Sequence, residues 1–230
     1  MVVTNTWLSQ GAVVHKVVLT FDDGPILEHT PRILDALAKY NVPGLFFVVG
    51  DRLQVPGARE IVHRAAREGH LIGNHSYSHL NLTEVSPDEV RSQILRTHDL
   101  ISEFEPKRRL FRPPYGACDG TVKAIARELG YKIVLWSANS EDWRPENWPC
   151  AWVDIAVEQI SAVHLAICLC HDLPHTAEHL PRLIERLRLL STHKFVSYYG
   201  RRDLRWLVDG IGWRARNWVK WTEPRGEGMK

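Results

Sequence analysis

The sequence predicts an α/β protein in which parallel strands alternate with helical crossovers and curl toward a single barrel or near-barrel. Three observations predict it. Apolar, β-branched runs such as Val17-Val18-Leu19 and Gly44-Leu-Phe-Phe-Val-Val49 read as strands buried on both faces. Segments between the runs carry apolar residues at helical spacing, which implies parallel pairing through helical crossovers. Unusual polar residues follow most strands, where barrel folds collect their chemistry.

Taken in order, the first strand enters Thr20-Phe-Asp-Asp-Gly24 and stops at Gly24-Pro25, because proline has no N–H for a ladder. A helix is expected over 29–40, with Thr30-Pro31 at its start and Ile33, Leu34, Leu37 and Ala38 at helical spacing. Strand 44–49 follows, then a helix over 58–68 ended by Gly69, and a short strand begins at Leu71-Ile72. Ser86-Pro87-Asp88-Glu89 is a strong helix start, with proline at the first helical position and acids in the first turn, and that helix should run to about Phe104. Strands are expected at 109–111, 132–136, 165–170 and 194–198, and helices over 119–129, 153–163 and 177–190.

A chain of 230 residues can bury a sizeable core, and one domain is expected. Net charge is +2 with His neutral, so no global field argues for nucleic acid or a membrane surface. Residues 200–230 hold eight basic against four acidic side chains, together with Trp206, Trp213, Trp218 and Trp221. Such a segment could pack on the barrel, lie on an anionic surface or contact a partner. The four cysteines show no C-x-x-C spacing, and reduced, packed thiols are expected. Residues 1–16 lack a leader's basic and apolar regions and no run is long enough to span a bilayer, so a cytoplasmic protein is expected unless a leader was removed.

Asp22 and Asp23 stand at a strand's carboxyl end, where a sharp turn could bring both carboxylates to one pocket. His75 and His79 follow another strand, and on one helical turn residues four apart share a face. Two imidazoles and a carboxylate leave open positions on a divalent ion, as hydrolytic zinc sites do. A second trio, His171, His175 and His179, is weaker, because Pro174 interrupts any helix that could align all three.

Thr20-Phe-Asp-Asp-Gly24, His75-Ser-x-x-His79, Arg112-Pro-Pro-Tyr115, Asp142-Trp143 and Leu169-Cys-His171 together resemble the five ordered motifs of the NodB-type polysaccharide deacetylases, carbohydrate esterase family 4. The resemblance implies a distorted (β/α) barrel over 1–199, with 200–230 as a basic extension. It implies hydrolysis of N-acetyl groups, or sometimes O-acetyl groups, on an acetylated amino-sugar glycan, with a divalent metal, zinc first and cobalt or nickel as alternatives. Asp23, His75 and His79 match the family's metal ligands and Asp22 its general base. Arg112 matches the arginine that holds the base, and the Tyr115 backbone N–H matches the oxyanion donor. His171 matches the general acid and Asp142 its paired carboxylate, while Pro114, Trp143 and Leu169 match the substrate walls. Where many relatives read Asp-x-x-Asp-Trp, this chain has Asn139-Ser-Glu-Asp142-Trp143, which puts the loop's secondary contacts in doubt. Competing readings are a deformylase or small-amide hydrolase on the same fold, a non-catalytic glycan binder, and an iron site for oxygen chemistry.

Overall fold

The computed structural model describes residues 14–196. The extension at 200–230, with its four tryptophans, lies outside the described residues, as does most of the first sixteen-residue stretch. Among the described residues, no helix is long and apolar enough to cross a membrane.

The elements run β1 (His15–Gly24), α1 (Thr30–Lys39), β2 (Gly44–Val48), α2 (Ala58–Arg67), β3 (Leu71–Asn74), α3 (Pro87–Ile101), β4 (Arg109–Phe111), α4 (Gly120–Glu128), β5 (Tyr131–Ile133), β6 (Ala138–Asn139), α5 (Trp152–Ser161), β7 (Leu165–His171), α6 (Pro174–Leu189) and β8 (His193–Phe195). Strand pairing follows the order β5-β4-β3-β2-β1-β7-β6, with β8 on β1, and every ladder is parallel. All the carboxyl ends therefore open at the same end of the sheet.

The curl stops short of a closed barrel: β5 and β6 are the two edges of this path and no ladder joins them. The strand expected over 132–136 ends at Ile133, because residues 134–137 cross from one edge to the other instead of pairing. Val134 N–H still bonds Phe111 O on one side (2.8 Å), and Ser137 N–H bonds Ile167 O on the other (3.0 Å). Strand β6 was not foreseen, since a two-residue strand carries no periodicity to read.

Helix starts follow local chemistry. Ser86 Oγ accepts the Glu89 N–H at 3.2 Å and Asp119 Oδ1 accepts the Val122 N–H at 2.8 Å, each satisfying a donor that the first turn leaves unpaired. The last helix begins at Pro174, three residues before the expected 177, because proline is well tolerated at the first helical position. One core packs the faces of β1, β2 and β7 against α1, α5 and α6 and includes fully buried Trp152; a second lies under α3 and α4. All four cysteines are free, and Cys168 and Cys170 bring their sulfurs to 3.9 Å inside β7.

Candidate active site

A regular strand would send Asp22 and Asp23 to opposite faces. Here the register of β1 against β2 slips between Asp22 and Gly24, and Asp23 adopts φ 71°, in the left-handed region. The bulge turns both carboxylates toward one imidazole. His75 Nε2 lies 3.6 Å from Asp22 Oδ2 and 3.4 Å from Asp23 Oδ1.

The helical turn expected for His75 and His79 is a loop, with Ser76 and His79 at φ 66° and 54°. Side chains supply the backbone partners that a helix would have supplied. Asn74 Oδ1 accepts the Ser76 N–H at 2.9 Å, while Gln93 Oε1, reaching over from α3, accepts those of Tyr77 (2.9 Å) and Ser78 (2.8 Å). The loop sets the two imidazoles edge to face with centroids 5.0 Å apart, and His79 Nε2 comes to 3.1 Å from Asp23 Oδ1.

The donor chemistry of this group fits a cation. His75 Nδ1 lies 2.6 Å from the Arg112 carbonyl, which only accepts, so Nδ1 carries the hydrogen and Nε2 of the neutral ring presents a lone pair toward two carboxylates. Asp23 Oδ1 is buried and has no hydrogen-bond partner, although both imidazoles approach it. Acceptors that face acceptors in a buried pocket are relieved by a positive charge between them. With both imidazoles protonated instead, their hydrogen bonds and charge outweigh the burial that would raise the Asp23 carboxyl and hold it well below the usual carboxylate range. Among the described residues, Asp23, His75 and His79 are the one group of three whose ligand atoms all lie within 4.8 Å of one another. Two imidazole nitrogens and one carboxylate oxygen form a set suited to a divalent ion with open positions.

Arg112, fully buried, leaves β4 and reaches the interior of the sheet. Its Nη1–H donates to Asp22 Oδ1 and to Thr20 Oγ1, both at 2.8 Å, while Nε–H donates to Val134 O at 2.9 Å. The guanidinium stacks 4.2 Å above the Phe47 ring. Gly73 makes room for that ring, since a Cβ there would meet Phe47 at 2.7 Å. One oxygen of Asp22 is thereby clamped, and Oδ2 is left for chemistry.

On the neighbouring strand, Asp22 and His171 are register partners, so both side chains leave the sheet on one face. His171 Nδ1–H donates to Asp142 Oδ1 at 2.7 Å, and Asp142 Oδ2 accepts the His171 main-chain N–H and the Thr176 hydroxyl, each at 2.7 Å. Burial pulls the His171 imidazole down, but the charge and hydrogen bond of Asp142 outweigh it and, with smaller help from Asp22 and Asp23, push it up to about 9. Burial acts to raise Asp142, and His171 and Thr176 more than reverse it, leaving the carboxyl below its ordinary value.

The remaining candidates sit around this mouth with different exposures. Pro114 and Leu169 are buried and Trp143 is half-buried beneath the Arg144 guanidinium, 4.7 Å from its ring centroid. Tyr115 adopts φ 59°, is exposed, and sets its ring edge-on to His79 at 4.8 Å. His175 and His179 do not join His171 in a ligand cluster. His175 instead bonds through Nε2 to the Asp142 carbonyl at 2.6 Å. Asn139 Oδ1 accepts the Glu141 N–H at 3.1 Å, a turn contact that an aspartate would make equally. Sequence reasoning gave no role of their own to Thr20, Asn74, Gln93, Thr176 and Trp148: Thr20, Gln93 and Thr176 act through partners far along the chain, and Asn74 and Trp148 through nearby backbone groups that no motif marks.

The polysaccharide deacetylase family model matches residues 11–134. The chain belongs to this family. A peptidoglycan-N-acetylglucosamine deacetylase from Bacillus cereus is 45% identical over 132 residues, which cover 56% of this chain and 46% of the relative. The chain spans about a third to a half of the length of the first curated deacetylases it matches. Among solved structures, the peptidoglycan deacetylase PdaC from Bacillus subtilis superimposes with a TM-score of 0.72 at 32% identity, covering 87% of this chain and 94% of that one. A carbohydrate esterase family 4 pseudoenzyme from Bacillus anthracis superimposes at 0.67 with 28% identity, covering 78% of this chain and 63% of that one. The family fold, a parallel sheet curled into an incomplete barrel with helices outside, is the one described above.

Proposed function

We propose that this chain is a metal-dependent hydrolase that removes N-acetyl groups from an amino-sugar glycan of the peptidoglycan or chitooligosaccharide kind. The observation that carries the reading is the pairing of Asp22 with His171 in register on adjacent strands, each held by its own buried counter-ion, Arg112 and Asp142. A protein that only binds sugar has no use for a clamped base beside a clamped acid.

Held by Asp23, His75 and His79, a divalent cation, zinc being the simplest choice for such donors, would supply Lewis acidity toward the acyl oxygen and water. Asp22, with Oδ1 fixed by Arg112, accepts the proton of the attacking water at Oδ2. The Tyr115 backbone N–H stands as the donor to the oxygen that gains charge as water adds to the acyl carbon. His171, its Nδ1–H committed to Asp142, gives the proton on Nε2 to the leaving nitrogen as the C–N bond breaks. Acetate and a free amino sugar result, with the proton taken by Asp22 balancing the one given by His171.

The reading is tested by acetate release from oligomers of β-1,4-linked N-acetylglucosamine, from peptidoglycan fragments and from acetylated xylan, with and without a chelator. Release that a chelator abolishes and zinc restores, and that Asp22→Asn removes, is the expected result. Turnover insensitive to chelation sinks the metal role. The similarity to a pseudoenzyme favours one second reading, glycan binding without turnover, and binding with no release from any of these substrates would establish it.

A further inference from the structure

Of the described tryptophan, tyrosine and phenylalanine residues, only Tyr115 and Trp148 stand well out in solvent, at 68% and 49% exposed. Both touch the site. Tyr115 packs on the ligand side, against His79, and Trp148 on the acid side, against the backbone of Asp142. The Trp148 indole N–H donates to the Asp142 carbonyl at 2.8 Å, and its ring lies 4.8 Å from that of His175, which bonds the same carbonyl. The loop beneath it is tied down as well, since Asn147 Nδ2–H donates to Glu141 O at 3.0 Å.

This combination is unusual for a packing residue. The polar atom of the indole is already satisfied, so what remains in water is apolar ring surface, fixed in place beside the residue that orients the acid. A rigid, pre-positioned aromatic face loses little conformational freedom on binding. The apolar C–H face of a pyranose is a natural complement to it, as it is for aromatic residues with one anchored end and one free face.

Resting on the hydrolase reading of this site, we propose that Trp148 forms a sugar-stacking subsite on the His171 side of the reacting residue. The substrate is accordingly an oligomeric glycan, in which a second pyranose ring lies on the indole while the acetamide of its neighbour occupies the catalytic pocket. Trp148 is a specificity-determining residue that acts on binding, and its contribution grows with chain length.

The test measures kcat/KM and KM for wild type, Trp148→Phe and Trp148→Gln on β-1,4-linked N-acetylglucosamine oligomers of two to five sugars. Titration of the same oligomers into the Asp22→Asn background gives affinity without turnover. Phe keeps an aromatic face and loses the N–H, whereas Gln keeps a donor for the Asp142 carbonyl and loses the face. Stacking predicts that Gln raises KM on the pentamer by about three- to tenfold. It also predicts a smaller effect on the dimer, with Phe retaining most of the affinity. The proposal is overturned if Phe is the worse variant or if both lose activity equally at every length with a shifted pH profile, which would mark Trp148 as a prop for Asp142. Release from glycans that ignores both variants sinks the subsite and leaves the hydrolase standing. Trp148-dependent binding with no release keeps the subsite and sinks the hydrolase, and neither binding nor release removes both.

Discussion

His171 and Asp142 are joined twice: the carboxylate takes the imidazole Nδ1–H on one oxygen and the histidine's own main-chain N–H on the other, each at 2.7 Å. The second bond fixes the strand end relative to the acid, and the first keeps the ring charged. With the imidazole pushed up to about 9, a general acid at this position stays protonated through neutral pH.

The alkaline limb of kcat/KM is therefore expected near pH 9, and Asp142→Asn should move it down by at least about one unit while lowering the plateau. A pH–rate profile of both proteins checks this. The sign carries over to stability. A folded value above the ordinary 6.5 means that the pair's stabilisation is fully present below about 6.5 and is lost as pH rises through about 9.

Arg112→Lys should keep one positive charge in the barrel and still fail as a clamp, because an ammonium cannot reproduce the planar fork that meets Asp22, Thr20 and Val134 together. A loss in kcat of about 100-fold is expected, within the range for a misplaced general base, with a lowered melting temperature. Arg112→Ala should unfold more readily still, by about 3 kcal/mol or more, since it leaves the buried Asp22 carboxylate without its partner.

Purified protein should bind one divalent ion per chain, and Asp23→Asn or His79→Ala should lower that affinity by at least about tenfold. Metal analysis after dialysis reads this directly. Saturating metal at about 100 times Kd should also stabilise the wild type by about 2.7 kcal/mol, an increment that the His75→Ala variant should lack.

Gln93→Leu should weaken the site from a distance. It strips partners from the Tyr77 and Ser78 N–H groups, which hold the His75–His79 loop. A stability loss of about 2 kcal/mol and a weaker metal affinity are expected, read by denaturant melts and metal titration, with Gln93→Glu recovering the acceptor and part of both.

Asp172 follows His171, and burial pushes its carboxyl up to about 7, with the Thr30 hydroxyl donating to Oδ2 and Oδ1 buried without a partner. An acid whose folded value lies above its unfolded one takes up protons on folding, so this group's contribution falls as pH rises from about 4 to about 7. Denaturant melts of the wild type and Asp172→Asn at pH 5 and pH 8 should show the variant gaining relative stability at the higher pH.

Much of this protein was legible before any coordinates. The apolar runs and their spacing placed the principal strands and helices within a few residues, because burial on both faces of a parallel sheet demands such runs. Pro87 and the acids after it marked the start of α3, whereas the two-residue β6 and the crossing at 134–137 left no periodic trace. His75 and His79 were read as candidate ligands from their spacing, yet on the wrong local geometry. The bonds that hold that loop come from Asn74 at its base and from Gln93 on α3, and nothing in a four-residue spacing announces them.

The sequence by itself determined which side chains stand at the strand ends and, through five motifs in order, which family they resemble. Only the tertiary structure decided that Asp23 turns to join Asp22, that Arg112 takes one carboxylate oxygen and spares the other, and that Trp148 stands anchored on the Asp142 carbonyl. The physical reason is that strand and helix periodicities are local properties of the chain, whereas a charge, a lone pair or an indole N–H acquires its role from partners that folding alone brings within hydrogen-bond reach.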